Sequence, residues 1–139
     1  MGQKSHFRYV ALPVAAVTMV YALTRDLPWT PLRIAGMAMM IMGFVFWGMA
    51  HVQLGDSFSV RPEARQLVTR GIYSRIRNPI YVFSAIAIAG GALAFEKPLW
   101  LLVFVVIIPM QLIRSRREAR VLEEKFGQEY REYARHTWF

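Results

Sequence analysis

Two polar blocks interrupt an otherwise apolar chain, and their residue types are suited to binding a charged ligand. The first runs from Gly71 to Tyr81 and is a doubly basic loop that ends in Asn-Pro just before an apolar helix. The second runs from Arg114 to Tyr133 and follows the next apolar run. Guanidinium groups bind carboxylates, and tyrosine rings attract cations over their faces. Because lipid-facing segments need no such groups, we expect the chemistry of the chain in these two blocks.

Arg114 and Glu118 are four residues apart, so they lie on one face of a helix at the edge of an apolar run. An ion pair with Arg preceding Glu is the weaker orientation and is worth only about 0.2–0.5 kcal/mol. Since this gain hardly explains two charges above an apolar stripe, the pair is as consistent with a functional role as with a structural one.

Hydroxyl, amide and guanidinium groups gather at the start of the third apolar run, namely Tyr73, Arg77, Asn78 and Tyr81. Asn78 is expected to cap this helix, and Pro79 suits its first turn, where a missing N–H costs nothing. A helix cap flanked by interfacial Arg and Tyr side chains is the structural alternative to a ligand site.

Several classes of site are not expected. The chain has no cysteine, and its three histidines lack ligand spacing, so we predict neither a metal site nor thiolate chemistry. There is no glycine-rich phosphate loop, which argues against a Rossmann or P-loop nucleotide site.

Four apolar runs have to position the two polar blocks. They are roughly Tyr9–Leu23, Ile34–Val52, Ile80–Phe95 and Leu99–Ile113. A spanning helix needs about 20 mostly apolar residues, which the second run alone provides, whereas the others need flanking residues that can snorkel. The 139 residues, 55% of them hydrophobic, therefore predict one all-α domain over 1–139, a polytopic membrane protein with about four transmembrane helices.

The net charge of +8 is distributed unevenly about these runs. With four spans, both termini and the central loop share one side, which carries most of the basic residues: Lys4, Arg8, Arg61, Arg65, Arg70, Arg75, Arg77, Arg114, Arg116, Arg117, Arg120, Lys125, Arg131 and Arg135. The other side has only Arg25, Arg33 and Lys97. By the positive-inside rule both termini are expected in the cytoplasm, at a bacterial inner membrane or its equivalent. Because the basic residues flank spans, we expect them to meet lipid headgroups rather than nucleic acid.

The fourth helix is expected to continue beyond the membrane. Polar and aromatic residues recur along one face of it: Arg114, Glu118, Leu122, Phe126, Tyr130 and then Tyr133. This spacing predicts a cytoplasmic amphipathic C-terminal helix, in which Gly127 indicates a break or a close contact. We expect the third and fourth helices to form a tight antiparallel hairpin, and Gly36, Gly43 and Gly48 to permit helix packing or association.

The block LVTRGIYSRIRNPIYV, the following Gly pair and the block REARVLEEKFGQEYREY together resemble a known family. They resemble the integral membrane methyltransferases of the isoprenylcysteine carboxyl methyltransferase and phospholipid methyltransferase group. The resemblance covers Leu54 to Tyr133, and the order of the two blocks around a helical hairpin makes it specific. It implies S-adenosylmethionine-dependent methyl transfer, with a cofactor pocket mainly within 54–139 and an acceptor that enters from the bilayer.

Carried over residue by residue, the resemblance assigns cofactor binding to eight positions: Tyr73, Arg77, Asn78, Pro79, Tyr81, Phe126, Tyr130 and Tyr133. Arg114 and Glu118 are assigned as the catalytic residues that orient the acceptor. The chain departs from the family pattern twice. The usual His is Asn78, which keeps hydrogen bonding but cannot act as a base, and the usual Glu-Glu pair is Glu118-Ala119, which lacks one acidic group.

The expected activity is methylation of a lipophilic acceptor, first of all the carboxylate of an isoprenylcysteine. A phospholipid amine and a small thiol are alternative acceptors. A membrane NADPH-dependent reductase and a non-catalytic membrane adaptor are alternative functions, the latter supported by Asn78 and Ala119. A carboxylate or thiolate needs no general base, whereas an amine has to lose a proton, for which Glu118 is the only nearby candidate. The identity of the acceptor and the oligomeric state stay open.

Overall fold

The computed structural model describes residues 2–55 and 67–138, and within these ranges the chain is helical, as expected for the all-α class. The α-helices are α1 Gly2–Thr24, α2 Pro31–Leu54, α3 Pro79–Ala94, α4 Phe104–Phe126 and α5 Gln128–His136. Short 3-10 helices cover Gly71–Ser74 and Pro98–Val103. Residues 56–66, which contain Arg61 and Arg65 of the predicted cytoplasmic connection, lie outside the described residues.

Two segments are long and apolar enough to cross a membrane by length and composition. They are Pro31–Leu54 and Pro98–Phe126, the second of which joins a 3-10 helix to α4. Val10–Thr24 and Pro79–Ala94 are apolar but shorter. Four spans and cytoplasmic termini therefore stay predictions. The fourth apolar run differs from expectation in one respect, because its first turns are 3-10 rather than α-helical.

Helices α2 and α3 form the closest helix pair, because glycines allow their backbones to touch. A Cβ atom built on Gly36 would lie 2.4 Å from the backbone N of Ala94, and one on Gly90 would lie 2.4 Å from the backbone N of Met40. Gly43 is equally confined, at 2.6 Å from the neighbouring backbone. Small residues are what permits such an approach between apolar helices. The expectation that the α2 glycines permit helix packing is thus confirmed for Gly36 and Gly43, which pack against α3 of the same chain.

The third and fourth helices form the expected antiparallel hairpin, but the expectation that it is tightly packed is wrong. The backbones of α3 and α4 make few close approaches, and polar side chains bridge them instead. Ser84 on α3 pairs with Gln111 on α4, and Asn78, which directly precedes α3, pairs with Ser115 further along α4. The two helices therefore run antiparallel with side chains, rather than backbone, between them. We call this space the α3–α4 cleft.

A buried arginine joins the start of α2 to the end of α3. We call this the distal end of the α2–α3 pair, and the α1–α2 and α3–α4 connections lie there. Arg33 is 3% exposed. Its Nε donates to the carbonyl of Ala94 at 3.0 Å, and its guanidinium also bonds the carbonyl of Pro28 and lies 3.4 Å from the carboxylate of Glu96. Thr30 caps α2 by accepting from the Arg33 N–H and donates its own hydroxyl to Glu96. A buried charge is tolerated only with such partners. The sequence alone does not show that Arg33 is buried or which groups it contacts.

We expect Gly90→Ala to destabilise the protein by about 1–3 kcal/mol, because its methyl group would meet the backbone of α2 and force the helices apart. Gly91→Ala is the matched control, since its Cβ would meet only the Sδ of Met40, at 3.7 Å. It should be neutral or slightly stabilising, because Ala favours helix. Thermal unfolding of both variants in the same detergent measures the difference, and equal stability of the two would contradict backbone contact at Gly90.

Candidate functional site

The loop before α3 and the tail after α4 meet, which brings the two polar blocks into contact. The Trp138 N–H donates to the carbonyl of Arg75 at 3.1 Å, and the Trp138 carbonyl accepts from the Arg77 N–H at 3.3 Å. The Tyr133 hydroxyl donates to the carbonyl of Tyr73 at 2.7 Å. These bonds join residues about 60 positions apart and attach α5 to the loop.

Gly127 makes this contact possible, because it ends α4 and lets the chain turn. Its φ of 53° is a left-handed conformation that other residues rarely adopt. The new helix α5 begins directly afterwards and carries Tyr130 and Tyr133 back to the loop. The break at Gly127 was indicated by the sequence. The continuous helical face from Arg114 to Tyr130 is wrong, since the positive φ interrupts the helical repeat.

Gln53, at the end of α2, supports the loop from the other side. Its Oε1 accepts from the Ile72 N–H at 2.8 Å. Its amide lies against Gly71, where φ is 62° and a Cβ would fall 2.3 Å from the Gln53 Oε1. The sequence does not reveal the partner of Gln53, because Ile72 lies 19 residues away across a polar connection. The one local signal is that a glutamine stands in the last turn of an otherwise apolar helix.

Tyr73 and Tyr130 are the most enclosed aromatic residues of the site, at 6% and 4% exposed. The Tyr73 hydroxyl is buried and has no hydrogen-bond partner among the described residues, which is uncommon for a buried polar atom. Burial raises the pKa of Tyr73, and the neighbouring Tyr133 and Glu118 raise that pKa further. The hydroxyl is therefore a neutral donor at physiological pH. A ligand acceptor that reached it would remove the free-energy cost of an unsatisfied group.

Arg77 links the loop to the tail tyrosines. Its guanidinium lies close enough to the Tyr130 hydroxyl to lower the pKa of that phenol. Burial raises the pKa of Tyr130, and Arg77 opposes that rise. Burial likewise raises the pKa of Tyr133, to about 12. Three neutral phenols and one guanidinium thus line the space between the loop and α5.

Glu118 is held through one of its two carboxylate oxygens. It lies at the end of the α3–α4 cleft that is predicted to face the cytoplasm. Its Oε1 accepts from the Tyr81 hydroxyl at 2.6 Å and from the Arg114 Nε at 3.0 Å. The Arg114 guanidinium also lies 5.8 Å from the centroid of the Tyr81 ring, within cation–π range. Within the described ranges its Oε2 accepts no hydrogen bond. Glu118 therefore has a fixed orientation and one oxygen available to a ligand.

The three remaining candidates, Asn78, Pro79 and Phe126, differ from one another in their contacts. Asn78 occupies the N-cap position of α3, but its side chain makes no cap bond and donates instead to the Ser115 Oγ at 2.9 Å. The predicted side-chain cap is wrong, because the amide turns to a partner on α4. Pro79 is fully buried in the first turn of α3. Phe126 ends α4 with its ring 5.6 Å from the Lys125 ammonium, and in the described part of the chain it makes no hydrogen bond or ring stacking with the tyrosines.

Hydrogen bonds and electrostatic contacts link eight of the ten candidates to one another or across the α3–α4 cleft. Pro79 is buried in the first turn of α3, and Phe126 ends α4 without such a contact among the described residues. Their roles in binding or catalysis stay predictions. Over residues 2–55 and 67–138, no group of three His, Asp or Glu side chains is suitably placed to hold a metal ion. The site offers hydroxyl donors, two guanidinium groups and one carboxylate, a set suited to an organic zwitterion rather than to a metal.

A family model described as PEMT, phospholipid methyltransferase, matches residues 31–129, which is most of the chain. The match runs from α2 to the first residues of α5 and includes eight candidates, while Tyr130 and Tyr133 follow it directly. No curated protein and no solved structure gives a significant match.

We expect Tyr133→Phe to loosen the tail, because it removes the bond to the Tyr73 carbonyl, worth about 0.5–1.5 kcal/mol. Hydrogen exchange of α5 measured by mass spectrometry should accelerate, while exchange of α2 stays unchanged. Tyr21→Phe, which alters a half-exposed tyrosine in α1, is the matched control and should leave α5 exchange as it is. Unaltered protection of α5 in Tyr133→Phe would argue against the contact.

Proposed function

Because the chain belongs to the phospholipid methyltransferase family, we propose that it transfers a methyl group from S-adenosylmethionine to a lipid acceptor at this site. The observation that carries the proposal is the family match over the residues that build the site. A buried, unsatisfied Tyr73 hydroxyl near the carboxylate of Glu118 supports a ligand pocket there. The family match favours methyl transfer over a nicotinamide-dependent reductase and over an adaptor.

The residues present fit the cofactor. S-Adenosylmethionine carries a carboxylate, an ammonium and a sulfonium, and when bound it supplies an electrophilic methyl group. Arg77 can bind a carboxylate through charge-assisted hydrogen bonds, and Tyr73 can donate to an acceptor atom. The faces of Tyr130 and Tyr133, whose ring centroids are 6.3 Å apart, can stabilise a cation. These are the residues that we assign to the cofactor, together with the supporting contacts of Asn78, Pro79 and Tyr81.

Glu118 and Arg114 are assigned to the acceptor. Fixed through Oε1, Glu118 presents Oε2 to an ammonium group and can take the proton that an amine must lose before it becomes a nucleophile. Arg114 balances the charge of Glu118 and can bind an anionic part of the acceptor. Positioning the two reactants in line supplies the larger part of the rate enhancement in such a transfer.

A phospholipid amine is the acceptor that we favour, because the Glu118 carboxylate attracts an ammonium and repels another carboxylate. The family description is consistent with this choice. The carboxylate of an isoprenylcysteine, which the sequence resemblance put first, is the second candidate. Arg114 supports it, since its side chain is 47% exposed and can pair with an anion. Glu118 would then be dispensable as a base.

Calorimetric titration of S-adenosylmethionine and its demethylated product into protein in detergent and in lipid nanodiscs tests the pocket. We expect wild type to bind both and Tyr73→Phe to bind about 3- to 10-fold more weakly, the effect of one hydrogen bond. Tyr130→Ala should weaken binding of both compounds more than Tyr73→Phe does. Tyr21→Phe is the matched control and should bind them as wild type does. If folded wild type binds neither compound in either medium, the transferase proposal fails. Binding of NADPH in their place would favour the reductase.

Transfer of a labelled methyl group to phosphatidylethanolamine or to a prenylated cysteine tests the acceptor. For the amine, Glu118→Gln should lower the rate about 10²–10⁴-fold, because the general base is lost. Glu123→Gln is the matched control, since its partner Arg131 lies 2.8 Å away on the exposed surface. Methylation of the prenylated cysteine alone, undiminished in Glu118→Gln, would overturn the amine in favour of the carboxylate.

A further inference from the structure

The face of α4 that borders the cleft carries a polar pair beyond Glu118, for which the proposed chemistry has no use. The Gln111 Nε2 donates to the Ser84 Oγ at 3.3 Å, and the Ser84 hydroxyl donates to the Tyr81 carbonyl at 2.9 Å. Gln111 is the only strongly polar side chain in the run Phe104–Ile113 of α4. Polar side chains within a membrane segment are costly and mark functional positions.

Gln111, Arg114 and Glu118 form a stripe along one side of α4, because they are three and four residues apart. With a rise of 1.5 Å per residue, Gln111 and Glu118 are separated by about 10.5 Å along the helix axis. Arg114 lies between them. From the apolar half of α4 outwards, the stripe therefore presents an amide donor, a guanidinium and a carboxylate.

This order is complementary to a phosphatidylethanolamine molecule, which presents an acyl ester carbonyl, a phosphodiester and an amine over a comparable length. We propose that Gln111, oriented by Ser84, binds an acyl ester carbonyl of the acceptor and thereby selects diacyl glycerophospholipids. The inference rests on the proposed function and adds the specificity residue to it. A prenyl chain has no carbonyl at that depth, so the stripe disfavours the isoprenylcysteine acceptor.

Gln111 has the capacity for this contact. A glutamine amide has two N–H donors, and in the described structure one of them bonds Ser84. The second N–H is available to an ester carbonyl. The neighbouring Met110 and Ile113 are apolar and exposed by 64% and 53%, so acyl chains can lie beside the stripe. Arg114 and Glu118 pair at 3.0 Å. The phosphodiester of the headgroup can bind Arg114 and its ammonium can bind Glu118, while the Tyr81 hydroxyl keeps Glu118 in place.

Native mass spectrometry of the detergent-solubilised protein, titrated with lipid and without cofactor, tests the proposal. The probes are diacyl phosphatidylethanolamine and its dialkyl ether analogue of equal chain length, which lacks only the ester carbonyls. We expect wild type to bind the diacyl lipid about 3- to 10-fold more tightly, as one hydrogen bond allows. Gln111→Met, which has a similar shape, should abolish this preference without weakening binding of the ether lipid, and Ser84→Ala should reduce it.

Met110→Leu, on the adjacent exposed position of α4, is the matched control and should keep the preference. Equal binding of the two lipids by wild type would overturn the proposal, as would a preference that persists in Gln111→Met or is lost in Met110→Leu. The two proposals fail separately. Without binding of S-adenosylmethionine, the transferase proposal fails even if the diacyl preference is present. With methylation of phosphatidylethanolamine but no dependence on Gln111, only the specificity proposal fails.

Discussion

The backbone contact between α2 and α3 is the constraint on which the rest of the structure depends. A side chain at Gly36, Gly43 or Gly90 would overlap the backbone of the opposite helix, so the pair has a fixed distance and register. Arg33 holds the distal end of the pair. At the other end Gln53 of α2 holds the loop that leads into α3. The first polar block is therefore attached to the α2–α3 pair at both of its ends. This attachment restricts the positions of its tyrosine and arginine residues.

Helix α4 joins this unit in a different way. It meets α3 through hydrogen bonds between side chains, with few close approaches of backbone. Two of the side chains that bridge the helices, Gln111 and Glu118, are among those that we propose to bind the acceptor. Ligand groups can exchange for these contacts without disturbing α2 and α3. Arg114 and Glu118 pair with each other at 3.0 Å, and under our proposal the headgroup would offer each of the two charges another partner.

Local patterns predicted much of the fold but less of the tertiary contacts. The existence of the helices follows from apolar runs, the start of α3 from Pro79 and the end of α4 from Gly127, because each of these depends on neighbours in sequence. The candidate site was located from two polar blocks and completed by a family resemblance, and contacts link eight of its ten residues. The roles of Gln53, Arg33 and Gln111 could not be predicted, since each is defined by a partner far away in the chain. Asn78 misled for the same reason: its cap position is local, but its preferred partner is on another helix.

The turn at Gly127 also has a consequence for how the protein is made. Helices α1 to α4 leave the ribosome before the tail, and the two phenols that enclose the loop are on the tail. The apolar helices of a nascent chain can thus pack together while the candidate site is still incomplete. Packing of the apolar helices and completion of the candidate site then become successive events, and folding of a short polar helix is the step that separates them.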